Sequence, residues 1–470
     1  MAILIKNATL ITASETYEAD ILIEGESISQ IGKNLRHPDA ERIDATGKFI
    51  TPGGVDPHTH FDLPMSGTVS SDDHYTGHKA AAFGGTTTVM DFVVQESQGF
   101  KYSVDLWMKK AEKAAIDYSF HMNLTRIDER IAKEIPSLMG MGITTLKVFT
   151  AYNGRLRIDD DCIFRALRIA KENGMLVMAH CENGDVIETL IPEALNAGHL
   201  TPEWHARTRP PWGAVEATMH VAAMAAQADA SIYIVHMNVG GEVDVLKYVR
   251  QRGVRAMGET CPQYLFFTID HLRRPDGAKW VCSPPMRTEV DNARLWEGLS
   301  DSTLQTIGTD HCPFFFDGSK PILYEGTEVA IPGKELGRDD FTKIPNGLPA
   351  VGDRLPILWT YGVRAGKITA NQFVALTSTN PAKIFGLYPR KGTIVPGADA
   401  DLVLWDPEKR VKYGVAHSHH RTDYNLFEGW ELVGLPEKVF LRGKLIVDGN
   451  TWLGAAGLGR FVKRGIGEVL

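Results

Sequence analysis

Gly53-Gly-Val-Asp-Pro-His-Thr-His60 (GGVDPHTH, residues 53–60) is a short apolar run that follows Pro52, opens on two glycines and closes on two histidines. Side chains on an extended strand alternate faces, so His58 and His60 stand on one side and can share an ion. Seven later runs repeat this plan: GTTTVMDF (85–92), YSFHMNL (118–124), TTLKVFT (144–150), LVMAHCE (176–182), SIYIVHM (231–237), VRAMGETC (254–261) and QTIGTDH (305–311). Stretches of helical periodicity separate most of them, among them VDLWMKKAEKAAID (104–117) and CIFRALRIAKENG (162–174). Parallel strands buried on both faces read as apolar runs up to a polar terminal residue. Eight in succession predict an α/β chain built on a (β/α)8 TIM barrel. Catalytic groups of such barrels gather at the C-terminal ends of the strands. His58, His60, Lys147, His180, His236 and Asp310 close their runs in that way, and together they outline a metal site.

Outward from the barrel, both ends change character. AILIK (2–6), ADILIEG (19–25), SISQIG (27–32) and GKFITP (47–52) are β-type runs between polar or Gly turns. KGTIVPGADADLVLWD (391–406) and EKVFLRGKLIVDG (437–449) have the same texture, that of antiparallel strands with one wet face. Neither end can readily bury a sheet alone, so the two are expected to pair into one small β-sandwich domain. The expected organisation is residues 1–52 as the first part of the sandwich, 53–388 as the barrel, 389–450 as the second part and 451–470 as a glycine-rich C-terminal arm docking on another subunit. The longer connections, 183–212 and 312–350, are expected to cover the barrel mouth.

Bulk properties narrow the function classes. A chain of 470 residues has room for a barrel and a smaller module. Its 43% hydrophobic and 23% charged content is that of a folded globular protein. A formal charge of -8 without a Lys/Arg stripe argues against nucleic acid as a partner and leaves a small molecule. Five scattered cysteines, odd in number and without CxxC spacing, read as reduced thiols of a cytoplasmic protein. No apolar run reaches about 18 residues, so no membrane span is expected. The interleaved start MAILIKNATLITA reads as a strand and not as a signal peptide.

An HxH alone is weak, because 16 histidines in 470 positions give roughly one chance match per two such chains. The cluster His417, His419 and His420 has no barrel strand before it and is expected in a solvated loop. His180 or His236 taken singly reads as a strand-end histidine satisfied by a hydrogen bond; their joint placement favours ligation. Asp310 can bind metal through one oxygen and move a proton with the other. Lys147 is the odd member, since an ammonium beside two divalent cations is strongly disfavoured. It must be neutral, displaced or altered, and adding carbon dioxide to the amine gives a carbamate able to bridge two ions. No phosphate-binding glycine motif and no Ser-His-Asp arrangement competes.

Beyond these runs, FDLP after His60, AAFGG before Thr86, AY after Thr150, NGD after Glu182, CSPPMR (282–287), CPF after His311, IPNGLP (344–349) and FGLYPRKGTI (385–394) follow in order along nearly the whole chain. With them the chain resembles the cyclic amidohydrolases, and within these the bacterial D-hydantoinases and dihydropyrimidinases. The resemblance implies metal-dependent hydrolysis of a cyclic amide in a dihydropyrimidine or 5-substituted hydantoin, giving an N-carbamoyl amino acid. It implies two divalent ions, with His58, His60 and Asp310 on one, His180 and His236 on the other, and Lys147 as the bridging carbamate (N6-carboxylysine). Zinc suits imidazole and carboxylate ligands best, and manganese, cobalt or iron can share them. It further implies Tyr152 and Asp310 as catalytic groups, and Ser283 and Asn346 as the positions whose backbone holds the imide. Leu63, Met65, Phe149 and Leu156 surround the exocyclic substituent, and the assembly is a homotetramer. The chain departs from the family pattern at TAYNGRL (150–156), where relatives carry Met before the Ala and Lys after the Tyr, and at Leu348. An allantoinase-like or other ring amidohydrolase, or a non-catalytic assembly protein, are the alternative readings.

Overall fold

The structure is a computed structural model that describes residues 2–470. Five strands come first: β1 (Ala2–Ile11), β2 (Thr16–Glu24), β3 (Ser27–Gly32), β4 (Glu41–Asp44) and β5 (Phe49–Pro52). The barrel strands are β6 (Gly54–Thr59), β7 (Thr86–Val94), β8 (Asp117–Asn123), β9 (Thr145–Phe149), β10 (Leu176–His180), β11 (Ile232–Ile234), β12 (Ala256–Thr260) and β13 (Thr306–Ile307). β14 (Leu402–Lys412), β15 (Glu431–Leu441), β16 (Lys444–Asp448) and β17 (Thr451–Trp452) follow. β6 to β13 pair in parallel and in chain order, with helices between most neighbours, so each apolar run of the sequence is a barrel strand. This is the (β/α)8 barrel.

The terminal strands form one nine-stranded sheet in the order β17-β16-β15-β14-β5-β1-β2-β3, with β4 beside β1. The link between the two chain ends is β14 antiparallel to β5, from Leu402 opposite Pro52 to Trp405 opposite Phe49. Period-two alternation decides what each face buries. Leu402 and Leu404 join Ile5, Leu10, Ile21 and Ile50 in a core internal to this sheet domain. Val403 and Trp405 point the other way, into the core shared with the barrel. Such side chains each contribute about 1.5–3 kcal/mol when fully buried. Polar groups add a second tie: Lys391 Nζ lies 2.6 Å from Asp117 at the foot of β8 and 2.7 Å from Asp401, and Arg442 also pairs with Asp117.

Two expectations need correction. The helix expected over 104–117 spans Phe100–Lys110 and ends in a 3-10 turn, because Asp117 is held by Lys391 and Arg442 as the first residue of β8. The histidines expected in a solvated loop are not all wet: His420 is buried and accepts a hydrogen bond from the Gly352 N–H at 2.9 Å. The C-terminal arm runs along the foot of its own barrel. There the Val462 N–H donates to the Tyr118 carbonyl (2.7 Å), and the buried Arg464 guanidinium donates to Thr145 Oγ1 (2.8 Å) and the Phe120 carbonyl. Its glycines permit close approach, since a Cβ at Gly459 would lie 2.0 Å from the Ile116 carbonyl oxygen.

The seam between β6 and β13 has no regular ladder. It is held by the Asp310 N–H on the His58 carbonyl (2.9 Å), the His60 N–H on the His311 carbonyl (2.8 Å) and two buried charged side chains. Asp56 on the first strand accepts from Thr309 Oγ1 (2.7 Å) and from the Thr309 N–H (3.2 Å). Arg354 donates to the carbonyls of Val55 (3.0 Å) and Ile307 (2.8 Å) and to Thr86 Oγ1 (3.1 Å), stitching the first, eighth and second strands. Removing one member of a buried charged pair typically costs about 3–5 kcal/mol. Arg354→Met is expected to lose stability in that range, read from denaturant unfolding; an unchanged midpoint would show that the seam closes without it.

Candidate active site

One cavity of about 280 Å³ opens at the C-terminal end of the barrel. It gathers His58, His60, Lys147, His180, His236 and Asp310, contributed by five strands and the segments just after them. Its remaining wall holds the other residues singled out in the sequence. Tyr152 and Leu156 come from the loop after β9, Phe149 from the end of β9, and Leu63 and Met65 from the segment after β6. Ser283 and Asn346 come from the connections after β12 and β13. All thirteen positions therefore face one chamber.

The donor atoms converge. His58 Nε2 and His60 Nε2 lie 3.3 and 3.1 Å from the same oxygen of Asp310, and one ligand atom from each of these residues falls within 4.8 Å of the others. His180 Nδ1 and His236 Nε2 face each other at 2.9 Å. Burial pushes the imidazoles of His58 and His236 well below their ordinary pKa, so each offers a lone pair at neutral pH. Burial opposes ionisation of Asp310, but the adjacent His58 and His60 hold its carboxyl below the usual range. Lys147 is 1% exposed and its ammonium has no hydrogen bond or ion pair among the described residues; the rings of Phe92 and Phe149 lie 5.1 and 5.2 Å away. Burial pulls its pKa to about 8. An enclosed set of four imidazoles, a carboxylate and an amine, with nitrogen lone pairs turned towards one another, fits divalent cations.

Two carboxylates that the motif reading passed over fix the tautomers. Glu259, on β12, accepts from His58 Nδ1 (2.7 Å), from the His236 N–H (3.1 Å) and from Tyr233 Oη (2.8 Å). Glu182 accepts from His180 Nε2 (2.9 Å). A histidine whose one ring nitrogen donates to a carboxylate turns its other nitrogen inward as a more basic ligand. Glu182 stands two residues after His180 in the quoted LVMAHCE run, and Glu259 closes a strand that carries no ligand of its own. Their strand-end placement is the signal that could have found them.

Backbone geometry marks the same residues. His236, Asp310 and Tyr152 have φ of 38°, 52° and 67°, in the left-handed region. Non-glycine residues enter that region rarely and at a cost of about 1–3 kcal/mol, which surrounding structure must offset. The His58–Asp310 hydrogen bond across the seam is one such constraint. In the same cavity, the N–H groups of Ser283 and Asn346 have no acceptor among the described residues, while Asn346 Nδ2 donates to Ser283 Oγ at 3.1 Å. Two open backbone donors in a cavity are a place for a ligand carbonyl.

Comparison with known proteins agrees with this chamber. The amidohydrolase family profile matches residues 49–446. The D-hydantoinase of Geobacillus stearothermophilus is 45% identical over 469 residues, which is 99% of this chain and 97% of that protein. The D-hydantoinase of Rhizobium radiobacter is 42% identical over 468 residues, 99% of each. The crystal structure of dihydropyrimidinase from Brevibacillus agri NCHU1002 matches with a TM-score of 0.95 at 46% identity, covering 100% of both chains. With a barrel of this topology, a buried cluster of His and Asp donors and similarity running from end to end, the chain belongs to the amidohydrolase family.

Proposed function

We propose that the chain hydrolyses the ring amide of 5-substituted hydantoins and dihydropyrimidines, opening them to N-carbamoyl amino acids. The observation that carries this reading is the single chamber in which four imidazoles, a lysine and a carboxylate meet a tyrosine and two open backbone donors. The relatives named D-hydantoinase and dihydropyrimidinase support it.

His58, His60 and Asp310 would hold one divalent ion, and His180 and His236 the other. Lys147, as the neutral amine, would take up carbon dioxide, forming an N–C bond and losing a proton to give a carbamate that would supply anionic oxygen ligands. Zinc suits this set, and manganese, cobalt or iron can use the same donors. Such ions, when bound, lower the pKa of water to near neutrality and polarise a carbonyl oxygen.

The chain's own groups do the rest. Ser283 and Asn346 hold the imide through their main-chain groups. The Tyr152 hydroxyl donates to the ring carbonyl oxygen as negative charge builds there. Asp310 takes a proton from the attacking water and delivers it to the ring nitrogen as the C–N bond breaks. Leu63, Met65, Phe149 and Leu156 offer an apolar wall to the exocyclic substituent. The same reading takes the protein to be a cytoplasmic homotetramer, in keeping with five cysteines that form no disulfide.

Tyr152→Phe is expected to lower kcat on a 5-substituted hydantoin by about 100 to 1000-fold, as removal of one oxyanion donor does, with an unchanged circular dichroism spectrum. Undiminished turnover would remove Tyr152 from the mechanism. Chelation should abolish turnover, and zinc with bicarbonate should restore it, with a carbamate carbon visible by NMR when the bicarbonate is 13C-labelled. Full activity in the metal-free protein would sink the proposal. Glu259→Gln should weaken metal retention by about 10 to 100-fold, measured as metal per chain after dialysis.

A further inference from the structure

Lys334 is a buried titratable group for which the chemistry above has no use. It is 1% exposed and opens a 3-10 turn, Lys334–Gly337, in the connection that follows β13. No carboxylate lies within ion-pair distance among the described residues. Instead its ammonium donates to two main-chain carbonyls, Val281 at 2.9 Å and Pro345 at 3.0 Å. Placing an ammonium in a protein interior without a counter-ion costs several kcal/mol, and burial pulls its pKa to about 7. An apolar side chain would fill this space without that cost.

The two carbonyls share a location. Val281 precedes Cys282 and Ser283, and Pro345 immediately precedes Asn346, so each bond holds the base of a turn that lines the cavity. The turns also touch directly, through the Gly347 N–H on the Val281 carbonyl (3.1 Å) and Asn346 Nδ2 on Ser283 Oγ (3.1 Å). A trans peptide is planar, with its N–H opposite its C=O. Drawing the Pro345 carbonyl towards Lys334 therefore turns the Asn346 N–H, which has no acceptor in the chain, to the other side. Lys334 is itself fixed, because its N–H donates to the Phe315 carbonyl at 2.7 Å and a Cβ at Gly333 would lie 2.0 Å from that same oxygen.

We propose that Lys334 is a positioning residue for substrate, a buried clamp that joins the Ser283 and Asn346 turns and aims their open backbone donors at the cyclic imide. This rests on the functional reading above for the identity of the ligand, while the clamp itself rests on the geometry alone. A group that preorganises binding donors without touching the reacting atoms should act on KM more than on kcat.

The test is Lys334→Met. KM for a 5-substituted hydantoin is expected to rise by at least about 10-fold while kcat changes by less than about 3-fold. Metal per chain should stay unchanged. Amide hydrogen exchange should quicken in peptides covering 281–285 and 345–348 and stay unchanged in the barrel strands. Lys343→Met, an exposed lysine of the same connection paired with Asp340, should alter none of these. Unchanged KM, or unaltered exchange at both turns, overturns the clamp, as does a joint fall of kcat and metal content. If Lys334→Met does not fold, Lys334→Gln, which can donate to one of the two carbonyls, is judged by the same measurements. Absence of hydantoin turnover in the unaltered protein would instead overturn the functional reading, and the exchange data would still decide the clamp.

Discussion

Closing the barrel means joining its first and eighth strands, and these are the two that lack a continuous ladder. β13 is only two residues long, so backbone pairing alone has little to offer there. The join depends on Asp56 reaching Thr309 and on Arg354 reaching carbonyls on both strands, with the His58 and Asp310 backbones meeting just above. That arrangement sets His58, His60 and Asp310 on one point. They come from segments about 250 positions apart in the chain, and without the seam they would have no common ion to hold. Buried charged groups are costly unless partnered, and Asp56 and Arg354 accept that cost next to the donor cluster.

The same logic extends around the chamber. Each half of the donor set has a histidine steered by a buried glutamate, Glu259 behind His58 and Glu182 behind His180. Glu259 also accepts the His236 N–H, so one carboxylate touches residues of both halves. Three residues of the site sit at positive φ, and the Ser283 and Asn346 N–H groups are left without acceptors. Strain and open donors are tolerated because the barrel strands below them are buried and packed, and groups held in advance need no reorganisation when a ligand arrives.

The terminal sheet and the C-terminal arm work from the other end. Lys391 and Arg442 tie the sheet to Asp117 at the foot of β8, and Arg464 enters the foot of the barrel beside Phe120 and Thr145. The connections after β12 and β13 carry Ser283, Asn346 and Lys334. These ties lie at one end of the strands, and the groups free to meet a ligand lie at the other.

The eight strands were legible because a strand buried on both faces must be apolar throughout, and its terminal histidine, lysine or aspartate then stands out. The thirteen cavity positions were legible through motif order and resemblance. The sheet joining both chain ends was legible as two β-rich segments, though its pairing of Leu402 with Pro52 was not. Glu182, Glu259 and Lys334 were not singled out: strand-end placement marks the two glutamates, and Lys334 lies in a connection without such a mark, but only three-dimensional neighbours make each a partner of His180, of His58 or of two carbonyls. The close approach of the arm's Gly459 to Ile116 was illegible for the same reason. The sequence by itself determined the local periodicities and the order of the polar residues that end them, which depend on neighbours in the chain. Tertiary structure decided which donors share a point, which nitrogen of each imidazole turns inward and which backbone N–H groups stay open, because those depend on contacts between residues far apart in the chain.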